Sequence, residues 1–117
     1  MTRRPIKALL QDILDYGSEA RDAVGDLDAD QILTERFREH AVIRTVQIVG
    51  EAAAQILQVR PEGLADLPLR EAAGLRNILV HGYAKVRMER IVVLVRRDLP
   101  VLLDRVAEAL ETGGDFE

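Results

Sequence analysis

The 117-residue sequence has no cysteine and no tryptophan, and only two tyrosines and two phenylalanines. The absence of cysteine excludes disulfide scaffolds, thiolate zinc sites and cysteine nucleophiles. His40 and His81 lie far apart and follow no metal-ligand spacing, so we expect neither a metal nor a cofactor site. The scarcity of aromatic residues argues against RNA-binding modules that stack bases on exposed rings. Because apolar residues still make up 48% of the chain, the core is expected to consist of Leu, Ile, Val and Ala.

The sequence also has no long apolar run. The longest, residues 91–95, is far too short to cross a bilayer. Gln11 and Asp12 interrupt the apolar residues that follow the basic N-terminus, where a secretory signal needs an unbroken stretch. We therefore predict a cytoplasmic protein with no membrane association.

Apolar residues recur at intervals of three and four along most of the chain, which is typical of amphipathic helices. Thr34 is the predicted N-cap of the longest helix, whose apolar face includes Phe37 and Ala41. Strand-like alternation and internal repeats are absent from the sequence. The pattern predicts one all-α domain over residues 1–117, an up-and-down bundle of about four to five helices. The predicted helices cover residues 5–24, 34–59, 69–80, 88–97 and 99–111.

A line of polar residues follows one face of the second predicted helix at intervals of three and four. Two interpretations stand: a solvated face, or the wall of a polar cleft that another chain approaches. The line consists of Arg36, His40, Arg44, Gln47, Glu51, Gln55 and Gln58.

Charge is unevenly distributed. Residues 76–97 hold six basic side chains and one acidic side chain, although the whole chain has a formal net charge of −4. A local basic stretch in an acidic protein indicates a candidate polyanion-binding surface, but it could equally be the wet face of a helix. The six basic residues are Arg76, Lys85, Arg87, Arg90, Arg96 and Arg97.

Arg76 is followed five positions later by His81, at the start of this basic stretch. Histidine titrates near neutrality and can transfer a proton, whereas arginine can bind a phosphate in two places. This pair suits metal-free cleavage of a phosphodiester. His81 would move the proton of the 2′-hydroxyl or of the leaving oxygen, and Arg76 would stabilise the phosphorane.

An ideal helix separates Arg76 and His81 by about 140°, so the two do not share a helical face. The helix therefore either ends near Val80, with Gly82 releasing the chain, or a second protomer supplies part of the site. The structural alternative is a buried Arg–His arrangement that caps the carbonyls of the third helix.

The chain resembles the HepT-like toxins of the HEPN superfamily, the ribonuclease partners of MntA-type minimal nucleotidyltransferases. The Arg-Asn-x-x-x-His-x-Tyr core is the superfamily signature, and Gly50-Glu51 narrows the resemblance to this branch. The likeness covers about residues 5–110, and 111–117 is predicted to be a disordered tail. It rests on Leu10-Gln-Asp-Ile-Leu, Ala41-Val-Ile-Arg, Ile48-Val-Gly-Glu-Ala, Leu67-Pro, Arg70-Glu, Gly74-Leu-Arg-Asn-Ile-Leu-Val-His-Gly-Tyr and Asp98-Leu-Pro.

The resemblance implies a HEPN fold, a symmetric homodimer and a metal-independent endoribonuclease site at the dimer cleft. It implies further that a cognate MntA-like nucleotidyltransferase antitoxin silences the toxin by transferring AMP from ATP. By position, the implied roles are catalysis for Arg76 and His81, support for Asn77, AMPylation for Tyr83, and a cleft or dimer contact for Arg44 and Glu51. The basic stretch fits an RNA substrate, and its candidates for contact with the RNA backbone are Lys85, Arg87 and Arg90.

Two other functions remain open. The chain could be a non-catalytic helical partner that presents a nucleotide or substrate to a nucleotidyltransferase, or a dimeric scaffold without a small ligand. For Tyr83, the structural alternative is a ring that packs over the end of the third helix.

Overall fold

The computed structural model describes residues 4–59, 61, 64, 66–80 and 82–113. These residues form seven helices and no strand, which confirms the predicted all-α class. Four of the helices are long, and the other three have five or six residues each. In chain order they are α1 (Ile6–Val24), α2 (Ala29–Thr34), α3 (Arg36–Val59), α4 (Leu69–Ala73), α5 (Leu75–Val80), α6 (Ala84–Arg97) and α7 (Leu99–Thr112).

The longest helix, α3, is central to the bundle. It packs against α1 on one side and against α4 and α5 on the other, while α1 also packs against α7. Buried side chains are almost all Leu, Ile, Val and Ala, as predicted, with Met88 added. Phe37 was expected on the apolar face of α3, but it is 91% exposed and Ala41 is exposed too. The apolar face is therefore narrower near the start of α3 than the sequence predicted.

The segment before α3 differs from the prediction because a short helix forms there. Asp28 begins α2 with a capping box, in which its carboxylate accepts from the Gln31 N–H and the Gln31 side chain accepts from the Asp28 N–H. Thr34 is therefore the last residue of α2, and its hydroxyl donates to the Gln31 carbonyl. The prediction that Thr34 caps α3 is wrong, since extended Glu35 separates the two helices.

The third predicted helix is divided at Gly74 into α4 and α5. Glycine has the lowest helix propensity after proline, and the break falls on that residue. The Gly74 N–H still bonds to the Arg70 carbonyl, so the two short helices remain closely connected. This break lies two residues before Arg76.

The fourth predicted helix corresponds to α6, which begins at Ala84, four residues earlier than predicted. Its first turn is held by the Arg87 N–H bonded to the Tyr83 carbonyl. The last helix, α7, extends through Thr112, so its end lies within the tail that was predicted to be disordered, and Gly113 is its C-cap. The rest of that tail, residues 114–117, lies outside the described residues. None of the helices within the described ranges is long and apolar enough to cross a bilayer.

Candidate active site

The polar line of α3 separates two grooves on the protein surface. The α3–α5 groove lies between α3 and α5, and the α1–α3 groove lies between α3 and the N-terminal part of the chain. Gln47 and Glu51 line both grooves, so the two are continuous across the exposed face of α3. The middle section of the line therefore lines two polar grooves, and the approach of another chain to it stays a prediction.

The α3–α5 groove brings together three of the predicted site residues, Glu51, Arg76 and Asn77. Arg76 and Asn77 are exposed residues of α5, whereas Leu75 and Ile78 on the same helix are buried. Burial of these two apolar residues against the core directs Arg76 and Asn77 toward the groove. Leu79 and Val80 complete the wall at the carboxyl end of α5.

Arg76 and Glu51 form an ion pair across the groove, with Arg76 Nε 2.9 Å from Glu51 Oε1. Both side chains are 49% exposed, so the pair is open to solvent. This charge contact holds the guanidinium beside Glu51, and an arginine carries further N–H groups on its terminal nitrogens that can bind a second anion. The half-exposed Arg76 does not match the buried capping arrangement considered from the sequence.

Gly50 allows α5 to approach α3 closely enough for this ion pair. A Cβ atom at position 50 would lie 3.2 Å from Arg76 Cγ and 3.3 Å from the Ala72 carbonyl oxygen. Both distances are tighter than ordinary van der Waals contact, and the carbonyl belongs to the backbone of α4. Gly50 is thus a packing requirement of the site.

The predicted catalytic residue His81 lies outside the described residues. On either side of it, α5 ends at Val80 and Gly82 has φ +88°, a conformation that favours glycine. Of the two alternatives drawn from helix geometry, the structure shows the first, in which the helix ends near Val80 and Gly82 redirects the chain; a contribution from a second protomer stays a prediction.

Tyr83 immediately precedes α6, and its side chain is 85% exposed. Such exposure excludes the alternative in which the ring packs over the end of the third predicted helix, which is α5 in the structure. The phenol is open to solvent at the turn between α5 and α6, where a second protein could reach it.

At the carboxyl end of α5, Arg87 Nη1 donates to the Leu79 carbonyl at 3.2 Å. Arg96 donates through Nη2 to the carbonyls of Gly25 and Leu27, and so connects α6 to the turn before α2. These two arginines therefore have structural contacts within the basic stretch.

The other basic residues of this stretch are more exposed. Lys85 Nζ lies 3.5 Å from Asp30 Oδ2, with both side chains more than half exposed. Arg97 pairs with the adjacent Asp98, and the hydrogen bond raises the pKa of the Arg97 guanidinium. Arg90 lies exposed on α6 at the rim of an apolar surface formed with Val93. Neither Lys85, Arg87 nor Arg90 lines the α3–α5 groove.

Arg44 also lies away from Arg76. It lines the α1–α3 groove, where its Nη1 is 3.4 Å from Gln47 Oε1. The resemblance gave Arg44 and Glu51 the same role, but they differ in position. Arg44 lines only the α1–α3 groove, whereas Glu51 lines both grooves.

Sequence reasoning missed the contribution of α1 to the surface. Arg4, Asp12 and Tyr16 line the α1–α3 groove opposite the polar line of α3. Arg4 is ion-paired with Asp12, and this hydrogen bond raises the pKa of the guanidinium. No pattern in the sequence indicates which face of α1 meets α3 at this point. Within the described ranges, no three metal-ligating side chains converge.

Fold and site define an all-helical protein with an arginine-bearing polar groove. Residues 13–109 match the family described as Ribonuclease HepT-like. The chain belongs to this HepT-like ribonuclease family, which confirms the expected HEPN-type family and the ribonuclease class of enzyme.

Two relatives show the extent of the similarity. A Methanocaldococcus jannaschii protein named "Putative RNase MJ1380" is 32% identical over 106 residues, which are 91% of this chain and 97% of the relative. A Thermococcus cleftensis protein named "Probable ribonuclease HepT" is 28% identical over 100 residues, covering 86% of this chain and 91% of the relative. No solved structure matches the chain significantly.

Proposed function

We propose that this protein is the toxin of a toxin–antitoxin system and cleaves RNA endonucleolytically without a metal ion. The observation that carries the proposal is Arg76, which is ion-paired with Glu51 and half exposed on the wall of an open polar groove. Membership of the HepT-like ribonuclease family supports RNA as the substrate.

The proposed reaction is a transesterification within the RNA chain. The 2′-oxygen attacks the adjacent phosphorus, the bond from phosphorus to the 5′-oxygen breaks, and a 2′,3′-cyclic phosphate and a 5′-hydroxyl result. His81 moves a proton from the 2′-hydroxyl or to the leaving oxygen. Arg76 binds the non-bridging oxygens and stabilises the negative charge that develops on the phosphorane. Asn77, beside Arg76 in the groove, donates a supporting hydrogen bond.

A symmetric homodimer would form the complete site by bringing two copies of this groove together. Support for this part comes from Val80, which lines the groove and is 69% exposed although it is apolar. A second copy would cover it. Lys85, Arg87 and Arg90 are the proposed contacts to the RNA backbone beyond the cleft, with Arg90 the most available of the three.

Regulation by AMP transfer is the second part of the proposal. An MntA-like nucleotidyltransferase would catalyse attack of the Tyr83 phenolic oxygen on the α-phosphorus of ATP, and pyrophosphate would leave. The added phosphate would repel RNA and compete for Arg76. The 85% exposure of Tyr83 supports its role as acceptor. Because RNA and such a partner are expected in the cytoplasm, we propose that the protein acts there.

The test is cleavage of a fluorescent single-stranded RNA by the purified protein in the presence of EDTA. Arg76→Ala and His81→Ala should each abolish cleavage, while Arg70→Ala, which changes an exposed arginine outside both grooves, should not. Circular dichroism and size-exclusion chromatography would verify folding and dimer formation. Full cleavage by both the Arg76→Ala and the His81→Ala variant would contradict the proposal. RNA or ATP binding without any cleavage by the wild type would favour the non-catalytic alternative.

A further inference from the structure

The α1–α3 groove has a different chemical character from the α3–α5 groove that it adjoins. Two of its lining residues are basic and two are acidic: Arg4 is paired with Asp12, while Arg44 shares the groove with Glu51, whose ion-pair partner is Arg76 of the adjoining groove. The two carboxylates would repel a ligand carrying several phosphates. The groove is therefore suited to an uncharged polar group.

The remaining lining residues favour a flat ligand with hydrogen-bonding edges. Tyr16 is half-buried and packs against the core, so its ring is held in place at the groove. Gln47 and Gln55 add side-chain amides, which can both donate and accept. Proteins recognise unpaired RNA bases by stacking them on an aromatic ring and by hydrogen-bonding their edges. Ile48 and Ala52 supply an apolar floor between these polar groups.

We propose that the α1–α3 groove binds one nucleobase of the RNA substrate, and that it determines which base is preferred beside the cleaved bond. The inference rests on the proposed ribonuclease function. Continuity supports it, because Gln47 and Glu51 line both grooves and a chain whose phosphate contacts Arg76 can extend across α3. Tyr16 and Gln55 line the α1–α3 groove but not the α3–α5 groove, so both are separate from the proposed catalytic residues.

The experiment compares cleavage kinetics and sequenced cleavage sites for wild type, Tyr16→Leu, Tyr16→Phe and Gln55→Ala on a randomised single-stranded RNA. Tyr16→Leu should raise KM about tenfold through lost stacking and relax the base preference, while kcat changes little. Tyr16→Phe retains the ring and should retain the KM. Gln55→Ala should alter the preference. Gln58→Ala, an exposed glutamine on the same line but outside both grooves, is the matched control.

An unchanged KM and an unchanged base preference in both Tyr16→Leu and Gln55→Ala would overturn the inference. Gln55→Ala replaces one residue on the surface of α3 with a good helix former, so this variant tests the groove even where Tyr16→Leu does not fold.

A wild type that cleaves no RNA would instead contradict the proposed function, and the groove is then tested by binding. RNA containing 4-thiouridine would be photocrosslinked to wild type and to Arg76→Ala. Crosslinks in the peptide that holds Tyr16 would support the base site, and crosslinks confined to other peptides would overturn it.

Discussion

The guanidinium of Arg76 and the carboxylate of Glu51 form an ion pair that joins α5 to α3, with 2.9 Å between Nε and Oε1. The pair determines how the arginine faces the groove, although its residues lie far apart in the chain. It gives Glu51 a positioning role in the proposed reaction.

Removal of this carboxylate should reduce catalysis without unfolding the protein. Glu51→Ala should lower kcat about tenfold, because Arg76 loses its fixed orientation. Stability should fall by no more than about 1 kcal/mol, since the pair is half exposed. Glu51→Gln should recover part of the activity, because glutamine keeps the size of the side chain beside Arg76 but not its charge.

Single-turnover RNA cleavage and thermal unfolding would measure these effects. Asp66→Asn is the control, because it breaks the exposed Arg105–Asp66 ion pair away from both grooves. Equal kcat values for Glu51→Ala and Asp66→Asn would argue against the positioning role.

A side chain at position 50 should separate α5 from α3. Gly50→Ala places a Cβ 3.3 Å from the backbone oxygen of Ala72, so α4 and α5 must shift. We expect a net loss of about 1–3 kcal/mol, which outweighs the better helix propensity of alanine. Displacement of Arg76 should also lower the kcat of the folded protein, as urea unfolding together with RNA cleavage would measure.

Gly17→Ala provides the comparison for this variant. Its Cβ would lie 2.6 Å from Leu103 Cδ2, the end of a side chain on α7 that can move aside, so this variant should lose less stability than Gly50→Ala and keep kcat near the wild-type value. A Gly50→Ala protein with unchanged kcat would mean that the approach of the two helices is not needed for activity.

Substitution of Tyr83 should separate toxicity from its regulation. Tyr83→Phe should leave stability unchanged, because the side chain is 85% exposed. Incubated with the nucleotidyltransferase and ATP, this variant should gain no AMP and should still cleave RNA. Intact-mass and peptide mass spectrometry would detect the modification, and Tyr16→Phe should still accept AMP. Modification of Tyr83→Phe at another tyrosine would contradict the proposed acceptor.

Two arginines of α6 should differ in their effects on RNA binding and on stability. Arg90→Ala should weaken RNA binding. It should also reduce, by about one, the slope of the logarithm of the binding constant against the logarithm of the salt concentration. Arg96→Ala should leave that slope unchanged but lower stability by about 1 kcal/mol, because it removes two hydrogen bonds to backbone carbonyls. RNA titrations at several salt concentrations, combined with urea unfolding, would distinguish them. A reduced slope for Arg96→Ala would mean that it contacts RNA.

Local sequence was sufficient for much of the fold. The intervals of three and four between apolar residues predicted the all-α class and the four long helices, since this spacing directly reflects the helical turn. Helix geometry between Arg76 and His81 also offered, as one of two alternatives, a helix that ends near Val80 with Gly82 redirecting the chain, and the structure has this form. The break at Gly74 was missed, because a glycine inside a helical pattern can either continue or interrupt it.

By itself, the sequence determined the helical class, the aliphatic core and the arginine, histidine and tyrosine of the motif, because these depend on composition and short-range spacing. Only the tertiary structure decided that Arg76 meets Glu51, that Gly50 makes room for this contact, and that Arg87 and Arg96 have backbone partners. It also brought Tyr16 of α1 to the polar line of α3. Such contacts depend on the packing angles between helices, which the residues of a single helix do not specify.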